Sequence, residues 1–241
     1  MGRTFENRKH AMAKRGDRDA KAFTRAGRQI AMAVRSGGGD PDVNPALRRA
    51  IQNARSVNMP KDRIQNAIDK ASGAADGAGY EEVLYEGYGP HGVALLIETA
   101  TDNTTRTVAN VRAAFKKGNG NLGTSGSVSF LFDRYGSFVL QPEGVDRDAL
   151  ELELIVHGLE ELLDDESEDG EPVLVVRCSR ESFGAMQAAL EERGIEPTSS
   201  GMEWVPKTTT ALDDAQVDEV VALVDRLEQD DDVQQVFSNL A

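Results

Sequence analysis

From residue 17 to residue 35 the apolar positions Ala22, Phe23, Ala26, Ile30, Ala33 and Val34 recur at helical steps, and Gly37, Gly38 and Gly39 end the run. Such spacing predicts an amphipathic helix. Its other side is basic: Lys14, Arg18, Lys21, Arg25, Arg28 and Arg35 follow one another by three, four or seven residues. At about 100° per residue they share an arc of roughly 100° opposite the apolar stripe, Lys14 joining only if the helix starts earlier. Asn44-Pro45 pairs a cap residue with the proline favoured at a first helical position. The helix it opens turns Leu47, Ala50, Ile51 and Ala54 inward and leaves Arg48, Arg49 and Arg55 outside. A third helix starts near Pro60, carries Ile64, Ala67, Ile68 and Ala71 on one side, and stops at Gly73 before the small-residue stretch 74–79. Three short helices predict a small bundle.

After Tyr80 the period shortens. Residues 83–88 and 93–99 read as strands joined by the turn Gly89-Pro90-His91-Gly92, and residues 105–117 as a helix with Val108, Val111, Ala114 and Phe115 on its apolar side. A strand at 127–133 is expected to complete a β-β-α-β unit. Further strands are predicted at 135–140, 172–178, 202–212 and 233–237, with helices at 146–157, 181–193 and 215–227. The acidic stretch 164–171 and the run Asp230, Asp231, Asp232 both read as solvated turns. Helices and strands mix without the regular alternation of a parallel sheet, which makes the fold class α+β.

The chain has 241 residues, a length that suits two or three compact units, and its 39% apolar and 28% charged residues are ordinary for a globular protein. The net charge of −14 would argue against nucleic acid if it were spread evenly. It is not: residues 1–70 hold 16 Lys and Arg against 7 Asp and Glu, a net of +9, and the remainder carries −23. A basic segment is drawn to polyanions by Coulomb attraction and counterion release, while an acidic surface restricts where the polymer lies. Neither an apolar signal-peptide core nor a window near the roughly 20 apolar residues of a membrane span occurs, so a cytoplasmic protein with no membrane partner is expected. One cysteine, Cys178, rules out a disulfide within the chain and reads as a small buried strand residue.

Candidate chemistry is sparse. Gly118-Asn119-Gly120-Asn121-Leu122-Gly123 matches G-x-G-x-x-G in letters, but a helix precedes it and a strand follows, the reverse of a dinucleotide site. A flexible loop there, with Lys116, Lys117, Asn119 and Asn121, remains a secondary contact that offers backbone N–H groups to phosphate. His10, His91 and His157 are scattered without metal-ligand spacing, and among 41 Asp and Glu some pair falls at any chosen distance. No catalytic residue, metal or cofactor is therefore expected, and the chain reads as a non-enzyme. The basic stripe is the strongest signal, because cations at helical spacing can track phosphates. With Lys61 it makes the expected binding set Lys14, Arg18, Lys21, Arg25, Arg28, Arg35, Arg48, Arg49, Arg55 and Lys61. Arg25 and Arg28 are expected to be exposed, so that their reversal weakens binding without unfolding.

Several words of the sequence resemble the YebC family of bacterial transcriptional regulators, which includes a mitochondrial translational activator of cytochrome c oxidase. They are Gly37-Gly38-Gly39-Asp40-Pro41, Asn44-Pro45-Ala46-Leu47-Arg48, Asn58-Met59-Pro60-Lys61-Asp62 and Tyr85-Glu86-Gly87-Tyr88-Gly89-Pro90. Thr101-Asp102-Asn103 with Arg106-Thr107, Asn121-Leu122-Gly123-Thr124 with Gly126-Ser127-Val128, Pro206 with Thr208-Thr209, and Asp231-Asp232-Val233-Gln234 continue the match over nearly the whole chain. The family's commoner start, His-Ser-Lys-Trp and then His-Arg-Lys, is replaced by Arg3-Thr4-Phe5-Glu6 and Arg8-Lys9-His10, the mark of a divergent branch. The resemblance implies a basic three-helix domain (1–79), an α/β domain built from 80–134 and 205–241, and a second α/β domain (135–204) inserted into it. It also implies two competing partners, promoter DNA for a transcription regulator and ribosomal RNA for a translation factor that relieves stalling. A base-reading helix needs side chains such as Gln29 and Gln52, whereas the stripe is mainly Lys and Arg, which favours RNA held by its backbone. A monomer is compatible with every feature read.

Overall fold

The computed structural model describes residues 3–73, 79–167 and 170–241, with side chains from residue 19 onward. Helices α1 (Arg3–Gly37), α2 (Pro45–Ser56) and α3 (Lys61–Gly73) form the expected bundle. The α1 stripe of Ala26, Ile30, Ala33 and Val34 packs on Leu47, Ala50 and Ala54 of α2 and on Ile64 and Ile68 of α3. Asn44 ties two helices together from a buried position. Its Oδ1 accepts from Leu47 N at 3.1 Å, capping α2, while its Nδ2 donates to Ala33 O and Gly38 O at 2.8 Å each at the end of α1. Helix α1 starts earlier than the apolar stripe suggests, because residues 3–16 are rich in Arg, Lys, Ala and Met, good helix formers that need no buried side.

Two antiparallel sheets follow. The first has the order β3-β1-β2-β8, with β1 Glu81–Tyr88, β2 Ala94–Thr101, β3 Asn121–Leu122 and β8 Val233–Ser238. Helices α4 (Thr104–Lys117) and α7 (Asp214–Glu228) cover one face, where Leu95 and Ile97 meet Val111, Phe115, Val220 and Leu223. The second sheet has the order β5-β6-β4-β7, with β4 Phe132–Leu140, β5 Leu159–Glu166, β6 Pro172–Ser179 and β7 Ser199–Pro206. Its helices α5 (Arg147–Leu154) and α6 (Phe183–Glu192) bury Leu150, Leu154, Met186 and Leu190 against Phe138, Val176 and Cys178. Burial pushes the Cys178 thiol up to about 11, as suits an inert core residue. The chain leaves the first α/β domain at the start of β4 and returns at the end of β7, and these two strands pair from Phe132↔Pro206 to Val139↔Ser199. The fold is α+β, with a three-helix domain followed by two α/β domains, one inserted into the other.

Several expected elements differ. The strand at 127–133 does not complete a β-β-α-β unit: residues 129–131 form a 3-10 turn and β4 runs unbroken into the second sheet. The first sheet takes its outer strands from the two-residue β3 and from β8 instead. The acidic stretch 164–171 is not all turn, since β5 continues to Glu166; an edge strand tolerates carboxylates on its open side, and Leu162 is its one buried residue.

Gly87 lies where β1 meets the Phe115 ring, and a Cβ there would sit 2.6 Å from Asn121 O and 2.8 Å from two ring carbons. Backbone on one side and a packed ring on the other leave no room to yield. Gly87→Ala is expected to destabilise the chain by about 1–3 kcal/mol, the usual result of overfilling a packed site, read as a lower midpoint in denaturant.

Candidate nucleic-acid interface

The structure divides the basic residues into two groups. Arg25 and Arg28, expected on an open stripe, instead clamp α1 to the first α/β domain. Arg25 Nε donates to Val233 O at 3.1 Å and its Nη2 to Glu228 O at 3.2 Å. Arg28 Nη1 donates to Ala100 O at 2.7 Å and to Asp232 Oδ1 at 2.8 Å. Helical spacing showed that these residues lie on one side of α1, but not that a second domain covers that side. Arg49 is likewise half-buried, its guanidinium 5.1 Å from the centroid of the Phe183 ring on α6, and burial pulls its pKa below the usual arginine value against the opposing pull of Glu82. Its neighbours Gln52 and Asn53 finish the contact: Gln52 Nε2 donates to Pro197 O at 2.5 Å, and Asn53 both donates to Ser200 O and accepts from Ser200 N.

At the centre of the first contact is Asp232, only 2% exposed, so the acidic run is no solvated turn at this position. Its carboxylate accepts from Arg28, from Arg106 Nε and Nη2 at 2.8–3.2 Å, from Thr107 Oγ1 at 2.7 Å and from Thr101 Oγ1 at 3.2 Å. Burial alone would raise its pKa; the hydrogen bonds from Arg106, Thr107 and Arg28 outweigh it and hold the group below the ordinary aspartate value. Asp232 and Arg106 both fall within words of the sequence singled out above, but no spacing rule links residues 126 positions apart.

The second group faces water. Arg48 and Arg55, seven residues apart on α2, are exposed, and Arg48 folds back on the carbonyls of Pro41 and Asp42 at 2.9 and 3.1 Å. Lys61 is exposed at the first position of α3, with Arg63 and Lys70 exposed beyond it, two cations that the sequence reading left out. Their seven-residue spacing was the available signal. Arg63 stands over the Phe23 ring at 5.4 Å. Lys21 is half-buried on α1, and Arg35 is exposed at its end, its guanidinium filling the space beside Gly79. The side chains of Lys14 and Arg18 lie outside the described residues.

The expected secondary contact is built differently from a flexible loop. Lys116, Lys117, Asn119 and Asn121 are exposed, but the backbone donors around them are already engaged. Gly118 N donates to Ala114 O, Gly120 N to Phe115 O and Gly123 N to Glu86 O. The buried Glu86 carboxylate accepts from Gly126 N at 2.7 Å and from Val128 N and Ser129 N at 2.8 Å. Burial pushes Glu86 up, and these backbone bonds together pull it below the ordinary glutamate value. The N–H groups of Gly118, Gly120, Gly123, Gly126, Val128 and Ser129 are therefore held by acceptors of the chain itself. Lys117 also borders a groove of about 670 Å³ between α4 and α7, where Arg106 and Arg226 stand among Asp102, Asp230 and Asp231. A groove of such mixed charge does not suit a polyanion.

Fold and charge together define a three-domain protein in which a basic helical domain is clamped to an acidic α/β body. Residues 3–74 match the TACO1/YebC protein N-terminal domain and residues 80–240 the TACO1/YebC second and third domain; the chain belongs to this family, as the sequence words indicated. A probable transcriptional regulatory protein of Anaeromyxobacter dehalogenans is 58% identical over 241 residues, covering all of both chains. Another from Myxococcus xanthus is 55% identical over the same length, and one from Flavobacterium johnsoniae is 50% identical over 240 residues, covering 100% of this chain and 99% of that one. The crystal structure of a conserved hypothetical protein from Aquifex aeolicus, 37% identical, superposes with a TM-score of 0.79 over 92% of this chain and 90% of that one. Among the described residues no helix is long and apolar enough to cross a membrane.

Proposed function

We propose that this chain is a non-enzymatic RNA-binding regulator that works on translation at the ribosome, holding phosphate with the open cations Arg48, Arg55, Lys61, Arg63 and Lys70. The observation that carries this reading is the division of labour in the helical domain. Gln52, a side chain suited to reading a base edge, is engaged with Pro197 O, while Arg48, Arg55, Lys61, Arg63 and Lys70 are exposed cations able to hold backbone phosphate. The acidic body keeps the polymer on the helical side. The relatives' name favours a second reading, a transcription regulator bound to promoter DNA.

Crosslinking in living cells followed by sequencing separates the two, with Arg55→Glu/Lys61→Glu as the control. Enrichment of particular ribosomal RNA segments, lost in the control, is the expected result; enrichment of discrete promoter DNA would establish the second reading in its place. In vitro, about five phosphate contacts would make affinity fall about 500-fold between 50 and 200 mM salt on duplex and about 130-fold on single strands, by log-log slopes of roughly −0.9 and −0.7 per contact. The double reversal is expected to flatten that slope by more than one while leaving thermal unfolding unchanged, because both positions are exposed. Hydrolysis of ATP or GTP by pure protein would overturn the non-enzymatic part.

A further inference from the structure

Helix α5 and its 3-10 continuation to His157 are apolar on two sides. Leu150 and Leu154 are fully buried in the core of the inserted domain. Leu152, Ile155 and Val156 point the other way and are 73%, 56% and 80% exposed. Their spacing, three and four residues from Leu152, lays them on one helical side as a continuous stripe. A helix apolar on both sides is ordinarily buried on both, and clustered exposed aliphatics mark interaction surfaces.

The surroundings specify what fits. Residues 132–206 hold 19 Asp and Glu against five Arg and no Lys. Asp148, Glu151 and Glu160 are exposed around the stripe, and Asp164, Asp165 and Glu166 continue along the edge strand β5. A nucleic acid is repelled by such a surface, and a protein of like charge is repelled as well. We infer that this stripe is a docking site for a basic amphipathic helix of a partner protein, whose apolar side packs on Leu152, Ile155 and Val156 while its Lys and Arg meet the acidic rim. The helical domain and the inserted domain then engage opposite charges. This inference does not depend on whether the nucleic acid is RNA or DNA.

The test uses the full chain and a labelled helical peptide of about 18 residues with Leu on one side and Lys or Arg elsewhere, alongside two counterparts carrying Glu for the cations or Ser for the leucines. Fluorescence anisotropy at 150 mM salt is expected to show saturable binding of the first peptide only, weakened at least tenfold by Leu152→Ser/Val156→Ser. Both substituted positions are exposed, so the variant should unfold at the parent's temperature and bind polyanion as before. Chemical-shift changes in the parent should fall on residues 148–166. Equal affinity for parent and variant, or binding of the Glu peptide as tight as that of the basic one, would overturn the assignment. So would a concentration-dependent dimer that the double substitution abolishes, since the occupant would then be a second copy.

Discussion

Asp232→Ala is expected to lower the stability of the folded chain by about 3–5 kcal/mol, the usual consequence of removing one partner from a buried ion pair. The carboxylate is the shared acceptor for Arg28 on the helical domain and for Arg106, Thr107 and Thr101 on the α/β domain. Without it Arg28, whose side chain is 12% exposed, keeps the Ala100 carbonyl and the face of the Tyr80 ring but loses its ion pair. Thermal unfolding should fall by roughly 6–20 °C for a chain of this size, and α1 should gain hydrogen exchange beyond the global change as it undocks. Asp232→Asn, which preserves shape but removes charge, should lie between the two. A variant that melts with the parent would show that Asp232 holds nothing together. The same geometry reverses the expectation for Arg25 and Arg28: a glutamate at 28 would face Asp232, so Arg28→Glu should undock α1, and loss of nucleic-acid binding in that variant would not report on phosphate contact. The sign of the pH effect follows from the depressed pKa of Asp232. Its contribution is fully present above the unfolded-state value, near 4, and is lost as pH falls through the lower folded value.

The second large effect is expected at Glu86. Three backbone N–H groups of one loop converge on its carboxylate, and hydrogen bonds to a charged acceptor contribute about 1.5–3 kcal/mol each, with incomplete additivity. Glu86→Ala should cost about 3 kcal/mol or more and raise hydrogen exchange at Gly126, Val128 and Ser129 well beyond any global change. Unaltered protection at those three amides would refute the role. Glu86 also has a depressed pKa, so its share of stability is present above about 4.3 and disappears as pH falls through the folded value. Glu86→Gln should flatten the acid limb of the stability curve.

Local signals were legible and long-range ones were not. Asn44-Pro45 and Gly73 marked helix ends because capping chemistry is confined to a few neighbouring residues, and α2 and α3 lie where those residues put them. β5 went wholly unpredicted, because an edge strand with one buried residue lacks the alternation by which a strand is recognised. The basic face of α1 was legible as a face, yet its use was not: whether Arg28 meets water or Asp232 depends on a residue 204 positions away. Glu86 illustrates the same limit, since one carboxylate among 41 acidic residues carries no mark that its donors lie across a loop.

The insertion also sets an order of events as the chain is made. The second sheet is contiguous from β4 to β7 and can close as soon as residue 206 is available, whereas β2 waits for β8 and Arg28 for Asp232. At roughly 5–20 residues per second the basic helix precedes its clamp by on the order of 10–40 s. The domain in the middle thus matures before its host, and the seating of the first helix on the body is a molecular timestamp that residue 232 has been synthesised.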